Sequence, residues 1–124
     1  MKRLSSKLHG ILDYVTVVFL LLAPSLFQMQ LYATIFTYSL AFVHLVLTSF
    51  TNFEVGIFRL IPFHVHGIIE ISVSIVLMLL SYLFLMSGDS TAFYFYLIFA
   101  IVLLVVWLLT SYINVSDAFE DDPR

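Results

Sequence analysis

Four long apolar stretches, about 8–26, 31–51, 64–86 and 92–114, alternate with short polar breaks along the chain. A hydrocarbon core of about 30 Å takes about 20 apolar residues per helix, so each stretch predicts one membrane span. The breaks have local causes. Pro24 with Ser25 is expected to end the first span, with Gln28 and Gln30 in a short turn. Gly56 and Pro62 bracket the second connection, and Ser87-Gly88-Asp89-Ser90 makes the third. The segment from Phe53 to Ile61 is too short to span and is expected to lie in the membrane interface. The expectation is an all-α, polytopic membrane four-helix bundle, one domain over 1–124 with an acidic tail over 116–124.

The pattern repeats. His9-Gly10-Ile11-Leu12-Asp13 matches His66-Gly67-Ile68-Ile69-Glu70 at an offset of 57. Leu47-Thr48-Ser49-Phe50-Thr51-Asn52 matches Leu109-Thr110-Ser111-Tyr112-Ile113-Asn114 at an offset of 62. Each half, about 8–52 and 65–114, thus reads as one two-helix hairpin. Two spans per half insert with the same polarity, which predicts parallel repeats about an axis along the membrane normal, with His9 opposite His66. A hairpin used twice, with His near the start of its first helix and Ala23-Pro24-Ser25-Leu26-Phe27 near that helix's end, resembles the small bacterial SPW-repeat membrane proteins. Ala-Pro-Ser-Leu-Phe stands where that family has Ser-Pro-Trp, and the second copy, Leu80-Ser81-Tyr82-Leu83-Phe84, has no proline. The resemblance implies the architecture and no activity.

Ionisable groups inside hydrocarbon cost at least about 2.5–3.5 kcal/mol each, so those that occur there need a reason. His9, Asp13, His44, His66 and Glu70 are such groups, with His64 at the boundary. His9 and Asp13 are four apart and share a helix face, with Thr16 beside it; His66, Glu70, Ser74, Leu77 and Ser81 form a second stripe. Thr37, Ala41, His44, Thr48 and Asn52 form a third, and Thr110 aligns with Asn114. Polar stripes in membrane helices face other helices, because lipid cannot satisfy their hydrogen bonds. At 1.5 Å per residue the acids and His44 lie roughly 9–12 Å inside the same bundle end. His64, two residues from His66, would point away on a regular helix.

Composition narrows the chemistry. With 62% hydrophobic and 10% charged residues, against roughly 25% charged in soluble domains, a soluble domain and a nucleic-acid-binding module are excluded. The absence of Cys excludes disulfides, thiolate metal sites and a cysteine nucleophile, and the absence of a Lys within a span excludes a retinal Schiff base. His9 and Asp13 interrupt the run after Lys2, Arg3 and Lys7, so the first segment reads as a retained helix rather than a signal peptide. Lys2, Arg3, Lys7, Arg59 and Arg124 fall on one side, which predicts cytoplasmic termini in a bacterial inner membrane. Phe50, Phe53, Phe58 and Tyr112 are expected to mark the inner boundary, and Glu54 and Arg59 to be surface groups.

Three imidazoles and two carboxylates from three helices suit Zn, Fe, Mn or Cu, with His9, Asp13, His44, His66 and Glu70 as metal ligands. Asp13 or Glu70 would then serve as ligand or catalytic general base. Haem b held by His9 and His66 is one alternative, and a proton-coupled transporter is another. A small subunit of a larger membrane complex or homo-oligomer is a further reading. The plainest alternative is that each His hydrogen-bonds its own acid and glues neighbouring helices.

Overall fold

Ser5 opens the first helix, its hydroxyl accepting the Leu8 N–H at 3.1 Å; Asp89 does the same for the fourth, accepting from Ala92 N–H at 3.1 Å. Such caps satisfy amide groups that the first helical turn leaves unpaired. The computed structural model describes residues 4–112 as four helices: α1 (Ser6–Leu26), α2 (Leu31–Phe50), α3 (Phe63–Met86) and α4 (Ser90–Leu109). All four are long and apolar enough to cross a membrane.

Both hairpin turns close alike. Gln28 (φ +49°) and Gly88 (φ +88°) take the left-handed conformation just past α1 and α3. The N–H groups of Met29 and Asp89 then reach back to Pro24 O and Phe84 O at 3.0 and 2.9 Å. Pro24 sits in the last turn of α1, which ends two residues on at Leu26, the expected boundary. That near the end, only one ladder bond is forfeited by the missing N–H.

The helices α2 and α4 stop where other segments take their last carbonyls. Leu109 O accepts the Leu4 N–H at 2.8 Å, and Thr110 beyond it is extended. The fourth helix therefore ends five residues before the expected boundary, and Thr110 is a cap residue. At the end of α2, Ser49 O accepts from Ile57 and Phe58, and Phe50 O from Leu60 and Ile61. These bonds curl loop 51–62 under the bundle. Phe53 is fully buried there, whereas Ile57, Phe58 and Leu60 are exposed. Only that second half has the interfacial character expected of the whole segment.

Helix α1 packs along α2, and α3 along α4. Ala33, Ala41, Ala92 and Ala100 are buried with Leu20, Leu77, Phe84 and Tyr96 between them, the small residues letting helix backbones approach closely. Outward-facing side chains such as Phe42, Leu79 and Val102 are apolar and exposed, as a lipid-facing surface requires. Of the residues read from sequence, Lys2, Arg3, Ile113, Asn114, Arg124 and the tail acids Asp117, Glu120, Asp121 and Asp122 lie outside the described residues.

Candidate metal centre

The buried polar residues meet at the bundle end formed by the start of α1 and α3 and the end of α2 and α4. His9 is the fourth residue of α1 and His66 the fourth of α3; each carries an acid one turn later, Asp13 and Glu70. His9 and His66 are 0% exposed, Asp13 3% and Glu70 2%, so their partners are protein groups rather than solvent. His9 Nε2 lies 3.0 Å from Glu70 Oε2 and 3.5 Å from Asp13 Oδ2. His66 Nε2 lies 3.2 Å from Asp13 Oδ2 and 3.6 Å from Glu70 Oε2. Nitrogen and oxygen thus alternate around a closed ring of four atoms. His44 Nε2, from α2, stands 3.5 Å from the other Asp13 oxygen, Oδ1.

The protons on the rings can be assigned. Thr51 Oγ1 donates to Leu47 O at 2.6 Å, and Thr110 Oγ1 donates to Val106 O at 2.7 Å. Each hydroxyl has spent its one proton, so each can only accept from the imidazole beside it. Thr51 Oγ1 is 2.8 Å from His66 Nδ1, and Thr110 Oγ1 is 2.8 Å from His9 Nδ1. Both Nδ1 atoms therefore carry hydrogen, and in the neutral rings both Nε2 lone pairs face the centre. There they meet carboxylate oxygens, which are also acceptors. None of His9 Nε2, His44 Nε2, His66 Nε2, Asp13 Oδ2 and Glu70 Oε1 makes a well-directed hydrogen bond. Buried acceptors facing acceptors are costly unless a cation or added protons lie between them.

Sequence matching aligned Thr48 with Thr110, but the residue that does for His66 what Thr110 does for His9 is Thr51. Both threonines are the first residue past their helix, 59 positions apart. Thr48 bonds within its own helix, to His44 O.

Aromatic rings floor the centre. Phe53 stacks on Phe63 at 5.5 Å, and Phe63 stands edge-on to His9 at 5.6 Å. Tyr112 donates its phenolic hydrogen to Glu70 Oε2 at 3.0 Å. Burial and the Glu70 carboxylate beside it push the phenol well above its ordinary value, so it remains a donor. Phe53 and Tyr112 were expected at the lipid boundary; they line the centre instead. The signal for both was Gly10 and Gly67, each just after a histidine. A Cβ on Gly10 would lie 2.6 Å from the Phe53 ring, and one on Gly67 2.8 Å from that of Tyr112.

Some expected neighbours stay away. Helix α3 is regular from Phe63, which leaves His64 exposed. Thr16 Oγ1 bonds back to Leu12 O and does not reach the cluster. Glu54 and Arg59 are not simple surface groups: Ser6 Oγ donates to both Glu54 carboxylate oxygens at 2.6 and 2.7 Å, and Arg59 Nη2 to Glu54 O at 2.9 Å. Tyr14 Oη holds Val55 O at 2.9 Å. Loop 51–62 is thereby tied to α1 beneath the centre.

Ligand atoms of His9, His66 and Glu70 all lie within 4.8 Å of one another, close enough to hold a metal ion. Compared with known proteins, the chain matches no family model, no curated protein and no solved structure.

Proposed function

We propose that this is an integral membrane protein binding one divalent transition-metal ion through His9 and His66, with Glu70 and Asp13 completing the ligand set. The observation that carries this reading is that ligand atoms of His9, His66 and Glu70 all lie within 4.8 Å of one another, with Asp13 Oδ2 at 3.5 and 3.2 Å from the two imidazole nitrogens. A tetrahedral ion with bonds of about 2.0–2.2 Å sets its ligands about 3.3–3.6 Å apart. Neutral imidazole and carboxylate suit Zn, Fe, Mn or Cu. With both acids ionised, the divalent charge also cancels two negative charges otherwise stranded in low dielectric.

Outer groups support the same assignment. Thr51 and Thr110 present Nε2 rather than Nδ1, and Tyr112 and His44 orient the two carboxylates. The bound ion would supply Lewis acidity at one membrane face, with Asp13 or Glu70 able to hold a proton beside it. The haem alternative needs a porphyrin plane between His9 and His66. Their ring centroids are 5.4 Å apart, and carboxylate oxygens occupy the space between the nitrogens, so a bare ion is favoured. A proton-transport reading lacks a continuation: among the described residues, the buried polar groups between the cluster and Asp89 at the far end are hydroxyls, and Ser74, Ser81 and Thr37 each donate to a helix carbonyl.

The rest of the reading belongs to the same proposal. The bundle sits in the bacterial inner membrane with the centre at the cytoplasmic end, on the side of Lys7 and Arg59. Its hairpins are parallel repeats related by exchange of His9 with His66, and kinship with SPW-repeat proteins fits that architecture. Elemental analysis and an absorption spectrum of purified wild type beside His66→Ala test the function. The expected result is about one metal per chain, lost in the variant, with no Soret band. A metal-free wild type that also fails to load on reconstitution contradicts it.

A further inference from the structure

We infer that the bound ion is the joint between the two hairpins, α1–α2 and α3–α4, and that its presence sets whether the seams between them are closed. This inference rests on the metal-binding reading above.

The cluster is built by exchange. Each histidine is nearer the other hairpin's acid than its own: 3.0 against 3.5 Å for His9, and 3.2 against 3.6 Å for His66. Each ring's Nδ1 is also held by the other hairpin, His9 by Thr110 and His66 by Thr51. His9 and His66 are thus each clasped between a hydroxyl and a carboxylate of the opposite hairpin. Each hairpin supplies one imidazole and one carboxylate to the ring, so neither hairpin completes it alone.

Away from the cluster the hairpins meet loosely. Both seams are apolar clefts, half open to the outside, that start at about the level of the acids. The α1/α4 cleft has a volume of about 560 Å³ and is lined by Val15, Phe19, Phe95, Ile98 and Val102. The α2/α3 cleft has a volume of about 500 Å³ and is lined by Leu40, Val43, Ile69, Val73 and Leu80. At the far end a hydrogen bond of 2.6 Å ties Thr37 of α2 to Tyr96 of α4. With that tether at one end and, at the other, the cluster beside the Leu4–Leu109 bond and loop 51–62, removing the ion without adding protons leaves two carboxylates and the two lone-pair nitrogens of His9 and His66 facing each other. Their mutual repulsion in low dielectric drives that end apart, with Thr37–Tyr96 as the pivot. Within each hairpin the helices stay packed, because their contacts do not pass through the centre.

The chain has no cysteine, so spin labels can be placed at will in the full-length protein. The pair Val15→Cys with Val102→Cys spans the α1/α4 seam, and Ile75→Cys with Ile101→Cys reports within one hairpin. Distances are measured by pulsed electron resonance in lipid nanodiscs, zinc-loaded and chelated, with zinc content determined on the same samples. Chelation is expected to lengthen the cross-seam distance by several ångström and leave the within-hairpin distance unchanged. In an Asp13→Asn/Glu70→Gln background the chelated protein is expected to stay closed, since the repulsion is gone. Stoichiometric zinc with an unchanged cross-seam distance overturns the joint and leaves the metal site standing. Equal opening in the amide background overturns it as well. Failure to hold zinc removes both the site and the joint.

Discussion

In the proposed metal centre, Thr51 and Thr110 are hydroxyls outside the ligand set that decide which nitrogen of each histidine faces the ion. Their protons are committed to Leu47 O and Val106 O, so they fix the hydrogen on Nδ1 and free Nε2. Thr51→Val or Thr110→Val is expected to lower metal affinity about 10–100-fold, and Ser at either position to restore it. Competition against a chelator of known affinity checks this; an unchanged valine variant contradicts the assignment. The glycines are the complementary test. Gly67→Ala drives a Cβ to 2.8 Å from the Tyr112 ring, and such overpacking costs about 1–3 kcal/mol. Thermal melts of Gly67→Ala should show that loss, and a melt matching wild type would mean that Tyr112 yields freely. The histidines and acids were legible as residues because ionisable groups stand out against an apolar background. Phe53, Thr51 and Tyr112 were not, since each is a residue type common at membrane boundaries, and only tertiary folding of the loop brings them inward.

At the scale of elements, helix ends carry the design. The helices α2 and α4 stop where loop 51–62 and the segment before α1 take their last carbonyls, and that places Thr51 and Thr110 beside the rings. The number and approximate extent of the helices were readable from hydropathy alone. Their ends were less so: α4 was carried past Leu109, because the Leu4–Leu109 bond is invisible to local pattern. The offset of the second sequence match erred for the same reason. Loop 51–62 closes the centre from below through Phe53, and the Ser6–Glu54 bonds latch it. Glu54→Gln is therefore expected to speed metal loss to an excess of chelator several-fold while leaving equilibrium affinity nearly unchanged. Stopped-flow release kinetics check this, and an unchanged rate would mean that the ion leaves by another path.

For the whole molecule, a ligand that binds only the folded bundle stabilises it by mass action, about 2.7 kcal/mol at a free concentration 100 times Kd. Zinc should raise the melting temperature of wild type in detergent and have no effect on Asp13→Asn/Glu70→Gln; equal shifts would place the ion elsewhere. Four apolar helices with one buried polar end make sense as an assembly in which van der Waals packing of small residues joins each hairpin and the polar centre joins the pair. If imidazoles and carboxylates from both hairpins surround one ion, X-ray absorption fine structure at the metal edge of the loaded protein will show four light-atom neighbours at about 2.0–2.2 Å with the outer-shell scattering of two imidazoles. A shell of oxygens without imidazole scattering would refute that centre.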